Sequence, residues 1–180
     1  VNVKVFETGS YSTEDIHMTT GADALNEATI LAKKGRRVQL ETVIGQDDAG
    51  KFIQAHCDDA GIMVRDACIK KDEKTGMNIV LVEQDGTRSF LTNPHGTLRS
   101  LKVEHIQMPF PESAKIVCFA SIFVFPKIGP DKLVQIFSQA KMQGKIVCAD
   151  MTKRKKGETL EDMAEAFSYI DYLFPNDEEA

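Results

Sequence analysis

The sequence predicts an α/β protein with a largely parallel sheet, and three stretches carry that prediction. Residues 20–50 read in one run as loop, helix, strand and glycine-bounded turn. Residues 38–69 place a helix between two strands at the length of a βαβ unit, a crossover that makes parallel sheets. From Leu101 onward, strand, helix, strand, helix and strand alternate once more. The expected architecture is a Rossmann-like, three-layer α/β/α fold, carried as a single domain over residues 1–180.

Each element has its own signal. Val1, Val3 and Val5 alternate with polar residues, a strand pattern that begins at the first residue, and polar residues 7–19 follow as a hairpin or lid segment. Thr20 and Asp23 have the spacing of a helix start, after which Leu25, Ala28, Leu31 and Ala32 recur on one face. Lys33, Lys34 and Gly35 close that helix with cations and a residue suited to a left-handed turn. Val38 to Ile44 reads as one strand entering a covered sheet. Asp47 to Ala60 is a helix with Ala49, Phe52, Ile53, His56 and Ala60 inward and Gly61 as its stop, and Ile62 to Ile69 is the next strand.

A second region alternates without a following helix. Met77, Ile79 and Leu81 lead to the Asp85-Gly86 turn and then Arg88 to Leu91, which predicts a β-hairpin. Asn93 to Gly96 is a loop. Lys115 to Ala120 is an apolar strand, Asp131 to Gly144 a helix with Leu133, Ile136, Phe137 and Ala140 inward, and Lys145 to Ala149 a strand that ends at Asp150. Open α/β sheets bind ligands at that end of their strands. Thr159 and Asp162 form a capping box ahead of Leu160, Met163, Ala164 and Phe167, and Asp171 to Phe174 is the last strand.

Composition narrows the function. With 42% hydrophobic residues in 180, the chain can bury a real core. Its 22 basic and 27 acidic residues give a net charge of −5, which argues against a nucleic-acid surface. Cys57, Cys68, Cys118 and Cys148 have no C-x-x-C spacing and sit in apolar or helical runs, so buried, reduced thiols of a cytoplasmic protein are expected. No run of about eighteen apolar residues is present and no signal segment opens the chain, so no membrane partner is expected.

The chemistry concentrates at the first helix. Small residues at Gly21 and Ala22 leave backbone N–H groups approachable, and Asp23 and Asn26 stand one turn apart, where a carboxylate and an amide can converge on adjacent hydroxyls. The same residues can also be read as a helix-end charge and a surface amide. Arg88 suits either an acidic or phosphorylated substrate or a solvated face. His56 reads as a core histidine, since no other histidine stands near it in a metal-binding pattern.

The run Gly21-Ala22-Asp23-Ala24-Leu25-Asn26-Glu27-Ala28, with Gly35 and then Gly45-Gln46-Asp47-Asp48-Ala49-Gly50, resembles the N-terminal signature of the PfkB, or ribokinase-like, carbohydrate kinases. Ala22 replaces the usual second glycine. Asp150-Met151-Thr152-Lys153-Arg154 resembles the family's D-x-N-x-R motif with Thr152 for Asn, and Asn176 to Glu179 resembles N-x-x-E. No D-T-x-G-A-G-D segment, which in the family carries the catalytic base and anion hole, occurs in the chain.

The resemblance implies a ribokinase-like fold truncated before its nucleotide-binding half, with a small β lid over segments 7–19 and 75–92. It implies transfer of a phosphoryl group from ATP to a hydroxyl of a sugar or sugar acid, in a reaction that residues 1–180 alone do not complete. Gly21, Ala22, Asp23, Asn26 and Arg88 would meet the substrate. Asp150 and Arg154 would lie on the phosphate and nucleotide side, and Asn176 and Glu179 would serve Mg²⁺ through water. A homodimer through the lid is a further implication. The alternative is a non-catalytic sugar-binding or regulatory protein on the same fold, and a flavodoxin-like binding module is a lesser one.

Overall fold

The computed structural model describes residues 12–154, 157–177 and 179. The strand expected at Val1–Phe6, lid residues 7–11, and Lys155 and Lys156 lie outside the described residues. Residues 12–22 form neither helix nor strand, so the lid segment expected to end at Thr19 enters α1 as plain chain.

Helix α1 (Asp23–Lys33) starts differently from its sequence signal. Ala22 takes φ 72° and ψ 145° and becomes the N-cap, without a side-chain acceptor. The Thr20–Asp23 capping pair therefore does not form, and Thr20 Oγ1 lies 3.4 Å from His56 Nδ1 instead. Leu25 and Ala28 are buried as expected, whereas Leu31 is 38% exposed. Gly35, at φ 73°, ends the helix with its N–H on the Ala32 carbonyl at 2.8 Å.

The first parallel unit joins β1 (Val38–Leu40) to β3 (Ile62–Val64), and β2 (Ile44–Gly45) to β4 (Ile69–Lys70), around α2 (Asp48–Ala60). The single strand expected from Val38 to Ile44 is broken at Glu41. There the carboxylate meets Arg65 Nη2 at 2.5 Å, and the same nitrogen donates to the His105 carbonyl at 2.7 Å. A 3₁₀ turn at Asp66–Cys68 likewise divides the strand expected over Ile62 to Ile69.

Helix α2 buries Gly50 and Cys57, with Ile53 and Ala60 packed beside them. His56 is not a core residue: half-buried, it sits between the helices with Nε2 2.9 Å from Thr29 Oγ1. The hairpin forms as expected from β5 (Asn78–Val82) and β6 (Arg88–Thr92), antiparallel, with Asn78 opposite Thr92 and Val82 opposite Arg88.

The second unit is a parallel sheet of β7 (Ile116–Ile122), β8 (Ile146–Met151) and β9 (Tyr172–Phe174) in that order. Helix α3 (Pro130–Met142) sets Leu133, Ile136, Phe137 and Ala140 against Phe119, Val147 and Ala149. Helix α4 (Leu160–Ser168) begins with the expected Thr159–Asp162 capping box. Its inward residues are Met163 and Ala166; Ala164 is exposed and Leu160 is 72% exposed, so the expected face is turned.

Helix α1 lies on the opposite side of this sheet, since the Glu27 charge acts on Cys118 and Cys148, which alternate with Phe119 and Val147. That completes three layers. On the α1 side, the paired Ile116 and Ile146 are exposed, as are Tyr172 and Phe174 on β9, opposite Cys148 and Asp150. All four cysteines are free; Cys57 and Cys68 are buried as expected, but Cys118 is exposed and Cys148 half-buried because they share this open side.

Candidate functional site

Three elements deliver polar groups to one place. Helix α1 supplies Asp23 from its first turn, β7 supplies Ser121 near its carboxyl end, and β8 supplies Asp150 at the matching level. The Ser121 hydroxyl donates to Asp23 Oδ2, and the Ser121 backbone N–H donates to Asp150 Oδ1. Two carboxylates 127 positions apart in the chain are thus joined through one buried serine.

Glu27 stands one turn after Asp23 and adds a third acid. Burial pushes its carboxyl above the ordinary glutamate range, and repulsion from Asp150 and then Asp23 pushes it further. Asp150 is also raised, first by burial. The Ser121 N–H opposes that rise, while the charges of Asp23 and Glu179 add to it. Such a cluster favours partners that donate hydrogen bonds, as sugar hydroxyls do.

The remaining expected residues divide into two groups. Asn26 is exposed one turn beyond Asp23, and a Cβ built on Gly21 would meet nothing within 4 Å, so the main chain there is open to a ligand. Arg88 is exposed at the start of β6, on the separate hairpin sheet. Arg154 Nη1 donates to the Glu158 carbonyl at 3.0 Å, within its own loop.

Asn176 and Glu179 close on each other. The Asn176 N–H donates to Glu179 Oε2 and the Glu179 N–H to Asn176 Oδ1, both at 3.0 Å. Among the described residues no group of three His, Cys, Asp or Glu side chains could hold a metal ion. Mg²⁺ retains several waters and takes few protein oxygens, so this amide and carboxylate fit it as partners through water.

The group at α1 is an open shelf. Two concavities, of about 570 Å³ beside Lys102 and Lys132 and about 210 Å³ beside Phe123 and Met163, are lined by other residues. Ser121 and Glu27 carry no chemical signal of their own in the sequence. For Ser121 the only cue was a polar residue ending the apolar run from Ile116 to Ala120.

Parallel strands that carry polar groups to their carboxyl ends, beneath the opening turn of a helix, place those groups where open α/β sheets bind ligands. Residues 2–180 match the pfkB family carbohydrate kinase description, and the chain belongs to that family. Among solved structures it is similar to a fructokinase from Xylella fastidiosa, at 25% identity and TM-score 0.68, covering 84% of this chain and 51% of that one. The same fructokinase, with bound ATP, matches over 50% of its chain. A PfkB protein from Polaromonas sp. JS666 aligns with TM-score 0.76 and 20% identity, over 92% of this chain and 58% of that one. Adenosine kinase from Schistosoma mansoni in complex with adenosine aligns at 21% identity and TM-score 0.68, over 87% of this chain and 46% of that one. The chain therefore spans about half the length of these structures, in the ribokinase-like fold.

Proposed function

We propose that the protein bearing this chain transfers the γ-phosphoryl group of ATP to a hydroxyl of a sugar or sugar acid, and that this chain supplies the substrate side of the site. The observation that supports the reading best is the Asp23–Ser121–Asp150 junction at the carboxyl ends of β7 and β8. Asp23 and Asn26 accept from and donate to substrate hydroxyls, and the open backbone at Gly21 and Ala22 lets the sugar lie against the helix start. Arg88 reaches an acidic or phosphorylated part of the substrate.

Arg154 and Asp150 serve the phosphate side, and Asn176 and Glu179 orient waters around Mg²⁺. Bound MgATP supplies the phosphoryl group and neutralises charge developing on it. Positioning and charge stabilisation carry such transfers, so residues 1–180 alone, without the D-T-x-G-A-G-D segment, leave the reaction incomplete.

The test is ATP-dependent phosphorylation of a panel of neutral sugars, sugar acids and nucleosides by the full-length protein and by residues 1–180. Turnover by the full-length protein, weakened through a raised sugar KM in Asp23→Asn and absent from the shorter chain, is expected. Turnover by residues 1–180 overturns their assignment to the substrate side alone. Sugar binding without turnover by the full-length protein would instead make it a non-catalytic sugar-binding protein.

A further inference from the structure

Ser121 holds a conformation that serine rarely takes. Its φ is 61°, in the left-handed region, and its side chain is buried at 4% exposure. The cause lies in the sheet. Register passes from Phe119 opposite Ala149 to Ile122 opposite Met151, three steps on β7 against two on β8, so β7 carries one extra residue at this point. A bulge of this kind re-aims a side chain at a sheet end.

The bulge is fixed from both sides. The Val124 N–H donates to the Ser121 carbonyl at 3.1 Å, and Thr152 donates its N–H at 3.0 Å and its hydroxyl at 3.1 Å to the Ile122 carbonyl. Held there, Ser121 turns its two donors in different directions, the hydroxyl toward α1 and the N–H toward β8.

We infer that Ser121 is a positioning residue for substrate recognition, its hydroxyl fixing the Asp23 carboxylate so that the other oxygen, Oδ1, faces the bound sugar. This inference rests on the kinase reading above. The hydroxyl occupies Oδ2 and so selects one rotamer of Asp23. The N–H on Asp150 lets the second carboxylate approach without displacing the first. Removing the hydroxyl frees Asp23 to turn away from Asp150 and Glu27, whose charges repel it.

Glycine and serine separate the two roles this position could have. Ser121→Gly takes the positive φ without strain and keeps the N–H to Asp150, while losing the hydroxyl together with its Cβ. Were Ser121 only a turn residue, Ser121→Gly would bind sugar as well as the wild type. Steady-state kinetics on the full-length protein should instead show the sugar KM raised about tenfold, the loss expected for a hydrogen bond to a charged group, with kcat and the KM for ATP little changed. Ser121→Ala, which keeps the Cβ, should match it, so a folding defect in either variant is recognised by circular dichroism and by disagreement between the two.

Asp23→Asn should raise the sugar KM, and adding Ser121→Gly to it should bring no further loss. A wild-type sugar KM in both serine variants, with Asp23→Asn impaired, overturns the inference and leaves the kinase reading intact. An unchanged sugar KM in Asp23→Asn overturns the role of Asp23 and this inference with it.

Discussion

Asp47 and Thr75 are bound to each other twice: the Thr75 N–H donates to Asp47 Oδ2 at 2.9 Å and the Thr75 hydroxyl to Oδ1 at 2.5 Å. The same Oδ1 caps α2 by accepting from the Gly50 N–H at 2.9 Å. The carboxylate of the G-x-D-x-x-G run thus ties the first parallel unit to the segment that opens the hairpin. Thr75 is 3% exposed, and the Thr97 hydroxyl accepts from the Gly76 N–H at 3.1 Å where the chain returns from the hairpin.

Replacing Asp47 should therefore loosen the joint between core and hairpin. Asp47→Ala removes a helix cap and leaves the buried Thr75 N–H unpaired, a loss of about 2–3 kcal/mol. The Thr75 hydroxyl, ahead of the backbone N–H groups, holds the Asp47 carboxyl below the usual aspartate range. A depressed carboxyl stabilises the fold above its unfolded value and loses that effect as pH falls through its folded value. Urea unfolding should show the gap between wild type and Asp47→Ala closing on acidification.

Ala22 makes a prediction of the opposite sign. At φ 72° and ψ 145° it stands in a region that glycine occupies freely and alanine at a cost of roughly 1–2 kcal/mol. Ala22→Gly should stabilise the chain by about 1 kcal/mol, or about 3 °C in Tm, after the added freedom of the unfolded glycine is counted. A lower melting temperature would show that the Ala22 backbone is held without strain.

Glu27 tests the electrostatics of the shelf. Burial first, then Asp150 and Asp23, raise its carboxyl above the ordinary value. The folded state consequently holds the proton more tightly than the unfolded state, and stability falls as pH rises between the two values. Glu27→Gln should melt higher than wild type near pH 7, above the unfolded glutamate value, with the advantage fading below about pH 4. Calorimetry at the two pH values reads this directly, and an equal advantage at both would remove charge as the cause.

Much of the fold could be read locally, and the reasons for the failures are tertiary. The stripe of Leu133, Ile136, Phe137 and Ala140 fixes the buried face of α3 because four apolar residues share one period. In α4 the face turns on Ala166 rather than Ala164, and two alanines carry no signal to separate them. The break at Glu41 depends on Arg65 and the His105 carbonyl, both distant in sequence. Asp23 and Asp150 each carry a local signal, Asp23 in its spacing to Asn26 and Asp150 at the end of its strand. Their junction has none, because it needs a serine at positive φ on a bulge, and neither feature has a local sequence mark.

The hairpin carries the last prediction. Val80 is 43% exposed, Val82 59% and Phe90 55%, on one face of a two-stranded sheet that no other strand joins among the described residues. An isolated hairpin is marginal in water, and contiguous apolar surface of this kind marks an interface. If the lid carries a homodimer, Phe90→Asp should convert the full-length protein to monomer in sedimentation equilibrium. Unchanged mass in Phe90→Asp would remove the lid from the interface.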